Sequence, residues 1–263
     1  MDKSSVFGLL IGIIAVGVGM VLKGVDVSAL ANPAALLIII LGTIGSVTIA
    51  FPLKDIANVP KLFKIIFTEK EDRLVDVIKQ FSDLALVARR DGLLAIETKL
   101  DEVDDPFLKS GLTLAIDGQS PDYIQDVLSE EIEAMEERHS TGALIFTQAG
   151  TYAPTLGVLG AVVGLIAALG DMSDTEKLGY AIAAAFVATL LGIFTGYMLW
   201  HPFANKLKQK SKKEVKRKQI IIEGILSILE GQSPAIIEQK LQVYLPVKER
   251  HLVSSGTGEK VNE

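Results

Sequence analysis

The chain has 263 residues, of which 49% are hydrophobic and 22% charged, with no cysteine and a formal net charge of −6. It is too apolar for an ordinary soluble domain and too charged to lie wholly in lipid, and without cysteine it has neither a disulfide framework nor a thiolate metal site. An acidic total without aromatics interleaved among its basic residues also argues against nucleic-acid binding.

The first uncharged run, Ser5 to Leu22, follows Met1-Asp2-Lys3, lacks a small-residue cleavage site and precedes a second run. It reads as a retained helix, not a removed signal peptide. The second run, Ala34 to Phe51, is bulky all round from Leu36 to Leu41, as expected of a helix facing lipid. With Ala149 to Leu169 and Leu178 to Trp200 there are four such runs, each near the roughly 20 residues that span a bilayer core. Gly8 and Gly12, Gly160 and Gly164, and Gly192 and Gly196 are GxxxG pairs that let helix backbones approach.

Between the second and third runs the sequence is helical in pattern. Leu74, Val77, Ile78, Phe81, Leu84, Ala85 and Ala88 recur at threes and fours and predict an amphipathic helix from Arg73 to Ile96. Strand-like alternation is absent. The string GQSP occurs at Gly118 to Pro121 and again at Gly231 to Pro234, where glycine ends one helix, serine caps the next and proline takes its first turn. The acidic run Glu130, Glu131, Glu133, Glu136, Glu137 has no accompanying histidine set and reads as a solvated helix face opposing the basic tail, with no metal. Lys206 to Lys218 continues the fourth span as a basic stop-transfer segment.

Basic residues set the orientation. Residues 54–140 carry 11 and residues 203–263 carry 12, against a single lysine in each of the other connections, Lys23 and Lys177. Both termini and the large connection are therefore expected in the cytoplasm. Residues 52–140 hold 11 basic against 20 acidic residues, net −9, and residues 203–263 hold 12 against 7, net +5, so the two are expected to pack on each other. The expected organisation is an all-α membrane protein: spans one and two in 1–51, a helical cytoplasmic domain in 52–146, spans three and four in 147–201, and C-terminal helices and tail in 202–263.

None of the four spans contains Asp, Glu, Lys or Arg, so if ions cross the membrane a partner must bring the carboxylate. The spans do supply small residues and hydroxyls. Thr155 and Thr189 are open to two readings, a polar wall or hydroxyls bonded back to their own helix. Pro154 and Pro202 are likewise either static kinks or moving hinges, each crowding the carbonyl four residues earlier, Gly150 and Met198. No Walker loop, zinc spacing or nucleophile elbow occurs, and no enzyme activity or cofactor is expected.

The segment Ala185-Phe186-Val187-Ala188-Thr189-Leu190-Leu191-Gly192-Ile193-Phe194, then seven residues, then Pro202, resembles the signature of the flagellar stator family of MotA, PomA and MotP. Tyr152-Ala153-Pro154-Thr155-Leu156-Gly157 and the two-span, domain, two-span layout agree with it. The resemblance implies a homo-pentameric ring around a dimer of a MotB-type, peptidoglycan-binding partner whose membrane aspartate carries the ion, in the bacterial inner membrane. It implies Thr189 on the ion path, Pro154 and Pro202 in conformational change, and Arg89 and Glu97 in contact with the rotor protein FliG. The extra Arg90 lies seven residues before Glu97 and would share its helix stripe, which leaves open which arginine meets the rotor. Ala161 stands where sodium-driven relatives carry threonine, and a methyl is no ligand for a hard cation, so the ion is expected to be H+. The rival readings are an ExbB or TolQ-like energiser, expected with three spans, and a membrane scaffold without ion flux.

Overall fold

The computed structural model describes residues 2–69, 73–170 and 175–254, and all regular structure among them is helical. Among the described residues, four helices are long and apolar enough to cross a membrane. The chain divides into two compact units, one formed by residues 1–69 with 138–209 and the other by 70–137 with 210–263.

The first unit holds the spans. Helix α1 (Lys3–Leu22) is capped by Asp2, whose carboxylate accepts the Ser5 N–H. Helix α2 (Pro33–Ala50) starts with Asn32 accepting from the Ala35 N–H and proline at its first position. The bulk of α2 is not uniform: Ala35, Ile39, Thr43 and Val47 make a buried stripe while Leu37, Ile40, Leu41 and Ile44 stay exposed. Only one side of Leu36 to Leu41 is therefore available to lipid, because spacing by four residues returns to the same face. After α3 (Leu53–Ile56), helix α4 (Val59–Phe67) turns its apolar face onto Ala143, Phe146, Ala204 and Leu207. Phe63 there meets Phe146, Trp200 and Phe203, and Phe67 meets Phe203, all edge to face with centroids 5.1 to 6.3 Å apart. Pairs of this geometry add about 0.5–1.5 kcal/mol each beyond their buried area.

The third span is the C-terminal part of α7 (Pro121–Leu169), which runs on unbroken through Pro154. The fourth begins as α8 (Thr175–Phe194), widens into six residues of π-helix at Thr195–Trp200, and continues as α9 (His201–Leu229). Residues 171–174, part of the connection between the third and fourth spans, lie outside the described residues.

The second unit is a helical cluster. Helix α5 (Leu74–Asp91) buries Val77, Ile78, Phe81, Leu84 and Ala85, the stripe expected of it. It stops at Gly92, not Ile96. Gly92 has φ 89° and ψ 163°, a region essentially confined to glycine, and Leu93–Glu102 then winds as 3-10 turns. Helix α6 (Pro106–Ile116) is capped by Asp105, and α10 (Pro234–Leu241) and α11 (His251–Ser254) complete the set. Both GQSP joints are the same turn. Gly118 and Gly231 have φ 77° and 71°, and the Gln119 and Gln232 N–H groups donate back to Leu114 and Ser227. Ser120 and Ser233 then accept from Tyr123 and Ile236 at the start of α7 and α10.

Opposite charge meets within this unit. Lys218 reaches Glu131 at 3.2 Å and lies 3.6 Å over the Phe107 ring, Arg217 reaches Asp105 at 2.9 Å, and Lys240 pairs with Glu223. The acidic run on α7 thus faces the basic segment of α9 at Glu131, and no group suited to holding a metal occurs among the described residues.

Candidate functional site

The third and fourth spans meet backbone to backbone. A methyl built on Gly157 would lie 2.8 Å from the Ala188 carbonyl and 2.9 Å from Gly192 Cα. One built on Gly192 would lie 2.9 Å from the Ala153 carbonyl, and one on Gly196 2.8 Å from the Gly150 carbonyl and 2.6 Å from the Pro154 ring. Gly192 and Gly196 thus receive α7 along the turn that contains Pro154. The other expected glycines differ. Gly160 is in ordinary contact with Ile38 and Ala188, nothing lies within 4 Å of Gly164 or Gly8, and Gly12 accommodates the Met198 methyl. The partner of Gly192 is Gly157, which belongs to no GxxxG pair and which spacing alone did not select.

Ala161 is buried in a small cluster with Ala35, Ala185 and Ala188, joining α7 to α2 and α8. Thr189, half-buried one residue beyond Ala188, donates its hydroxyl to the Ala185 carbonyl at 3.1 Å. Thr155 is exposed and donates to the Tyr152 carbonyl at 2.8 Å. Both hydroxyl protons are directed into their own helices, which leaves an oxygen acceptor as the group each presents.

The two prolines are accommodated differently. At Pro154 the helix continues with the ring against Gly196. Ahead of Pro202 the winding loosens, and the His201 N–H donates to the Gly196 carbonyl five residues back. Since Pro202 has no N–H and its ring crowds the Met198 carbonyl, a wider turn there relieves the crowding. His201 itself covers Gly150, and Trp200 and Phe203 flank the joint within the aromatic cluster.

In the second unit Arg89, Arg90 and Glu97 are all exposed. The end of α5 at Asp91 overturns the helix stripe expected to join Arg90 with Glu97, because Glu97 lies beyond Gly92 in the 3-10 segment. Arg90 instead forks onto its neighbour Asp91, with Nε and Nη2 to carboxylate oxygens at 2.7 to 3.0 Å. Those hydrogen bonds hold the Asp91 carboxyl below the usual carboxylate range. Arg89 borders a cleft of about 100 Å³ lined also by Ala88, Leu93, Leu229 and Gln232.

One polar cluster had no signal beyond a capping residue. Asp2, 5% exposed, accepts from Lys206 Nζ at 2.7 Å and from the Ser4 hydroxyl at 2.7 Å. Burial opposes its charge, yet Lys206, Ser4 and the Ser5 N–H together hold the carboxyl far below the usual range.

Residues 99–220 match the family described as the MotA/TolQ/ExbB proton channel family. The chain is 64% identical over 251 residues to Motility protein A of Bacillus subtilis, covering 95% of this chain and 93% of that one. A solved flagellar MotAB stator complex from Bacillus subtilis superposes with a TM-score of 0.91 at 62% identity, covering 96% of this chain and 100% of that one. The C. jejuni MotAB structure gives 0.90 at 32% identity, covering 94% and 97%.

Proposed function

The chain belongs to the MotA family of flagellar motor stator subunits, which form a proton channel with MotB, and we propose that its own cargo is H+, carried on an acid that the partner supplies. It is a multi-pass channel subunit and not an enzyme. The observation that carries the reading is the chargeless membrane part: four spans without a single carboxylate, amine or guanidinium. Ala161 supports H+ over Na+, since it offers a methyl among other alanines where an oxygen ligand would be needed.

The mechanism follows from the missing charge. A proton arriving from outside neutralises the partner's membrane acid and removes a midplane charge that costs several kcal/mol. A neutral acid can donate to the Thr189 oxygen, whereas a carboxylate needs a donor that Thr189 has already committed to Ala185. Contact with this wall therefore depends on protonation. Passage of the proton across the membrane potential releases about 2.3 kcal/mol per 100 mV. That is close to four times thermal energy and biases each step of a five-copy ring around a partner dimer. Pro154 and Pro202 accommodate the step. Arg89, Arg90 and Glu97 deliver it to FliG through exposed contacts of roughly 0–1 kcal/mol each, weak enough to form and break repeatedly. Both termini lie in the cytoplasm, on the inner face of the bacterial cytoplasmic membrane, as the basic segments require.

Vesicles loaded with a pH-sensitive dye provide the test. Proton uptake is expected only when the chain is reconstituted with its MotB-type partner, and uptake by the chain alone would overturn the borrowed-acid mechanism. The absence of uptake with the partner present would favour a scaffold.

A further inference from the structure

The cluster around Asp2 joins three elements at one point. The Asp2 N–H donates to the Phe67 carbonyl at 2.8 Å and the Ser5 hydroxyl to the Ile66 carbonyl at 3.3 Å, so the start of α1 closes over the end of α4. Phe67 and Ile66 are the last two residues of α4, whose carbonyls have no helical partners of their own. From the other side Lys206 reaches both the Asp2 carboxylate and the Ser4 hydroxyl at 2.7 Å. Lys206 stands four residues after Pro202, one helical turn along α9.

The pair is well buried, as is Arg217 with Asp105 at 21% and 22% exposure, and differs from the solvent-exposed ion pairs. The Asp2 side chain is 7% exposed and that of Lys206 26%, whereas Arg90 with Asp91 and Lys99 with Glu102 are open to solvent at 42% or more. An exposed pair contributes little, but removing one partner of a buried pair leaves an uncompensated charge and is strongly destabilising to the contact. The connection is therefore held far more firmly than a surface contact, and it bears on the segment that directly follows the π-turn and Pro202.

We propose that Asp2 and Lys206 are positioning residues for torque generation: their ion pair fastens the inner ends of α1 and α4 to the first turns of α9, so that α9 swings about Pro202 only together with them. The inference rests on the reading of Pro202 as a moving joint. Without the clasp, α9 would turn past α1 and α4, and the step made in the membrane would be lost before reaching the end of the helix. The pair carries no proton, since a carboxylate held so far below its ordinary range stays charged throughout the physiological interval.

The experiment uses the full chain with its MotB-type partner in cells, reading three quantities: the amount of chain in the membrane, proton conduction by the complex, and stall torque per stator. Asp2→Asn keeps the helix cap, because asparagine caps as well as aspartate, while removing the ion pair. Lys206→Gln removes the pair from the other side, and the double variant leaves no lone buried charge. Asp2→Asn and Lys206→Gln are each expected to lose most of the torque at unchanged membrane amount and conduction. The double variant should lose no more than either single one, and Lys206→Arg should retain torque. Full torque in both single variants overturns the proposal. So does a loss that tracks membrane amount in the singles and the double alike, which would make the pair a folding contact, or a loss of conduction in parallel with torque. Additive losses in the double variant also overturn it, since the two side chains would then act separately. A wild-type complex that neither conducts nor turns a rotor would sink the stator reading itself, and the clasp with it.

Discussion

The hydroxyl proton of Thr189 is committed to the Ala185 carbonyl, so what this residue offers an approaching group is an acceptor. That polarity decides which variants should matter. Thr189→Val keeps the shape and removes the acceptor, and it is expected to abolish swimming without lowering the amount of chain in the membrane, whereas Thr189→Ser should swim. Swimming speed alongside membrane immunoblots checks this, and a motile Thr189→Val strain would remove Thr189 from the mechanism. The charges proposed to meet the rotor can be ranked in the same way. Arg90 is already held by Asp91 through a two-pronged contact, while Arg89 and Glu97 are exposed and separated by the sharp bend at Gly92. Charge reversal in Arg89→Glu or Glu97→Lys is expected to cut bead torque severely at normal membrane amount, and Arg90→Ala to reduce it less. A larger loss from Arg90→Ala would reverse the ranking.

At the scale of elements, the close packing of α7 on the fourth span depends on hydrogen atoms at Gly157, Gly192 and Gly196. A methyl at Gly192 meets backbone on two sides, the Gly157 Cα at 2.8 Å and the Ala153 carbonyl at 2.9 Å, and neither can rotate away. Overpacking of this kind costs about 1–3 kcal/mol. Gly192→Ala is thus expected to lower the melting temperature of the detergent-solubilised complex, and Gly164→Ala, which meets nothing within 4 Å, to leave it unchanged. Equal effects would show that the contact surface lies elsewhere. The elements were legible wherever the signal is local. The four uncharged runs, the α5 stripe from Leu74 to Ala85 and the two GQSP turns follow from hydrophobic period and turn chemistry. What was not legible depends on backbone conformation at single residues or on partners distant in sequence. Period alone carried the α5 helix past Gly92 to Ile96, because only the backbone conformation at Gly92 separates Arg90 from Glu97. The pairing of Gly157 with Gly192 and the clasp of Asp2 by Lys206 likewise arise from contacts that no spacing rule encodes, whereas the π-turn is a local response to Pro202.

For the whole molecule, topology rests on a single asymmetry in lysine and arginine: 23 of the 26 lie in two segments, 54–140 and 203–263, and the other three are Lys3, Lys23 and Lys177. Positive charge is preferentially retained on the cytoplasmic side, so the turn between α1 and α2 and the start of α8 are expected to face outward. The same arrangement explains why the acidic helix face bearing Glu131 and the basic stretch bearing Lys218 can pair: both are predicted on one side of the membrane, and they meet within one unit. The chain contains no cysteine, so single cysteines can be introduced without background. Ser28→Cys and Lys177→Cys, both at exposed positions, are expected to react in intact spheroplasts with a maleimide that cannot cross the membrane. Thr98→Cys and Lys216→Cys, also exposed, should react only after the membrane is opened. Labelling of Lys216→Cys from outside would place α9 in the wrong compartment to reach a cytoplasmic rotor. Protection of Ser28→Cys and Lys177→Cys in intact cells, with labelling after lysis, would invert the topology and with it the direction from which the proton must enter.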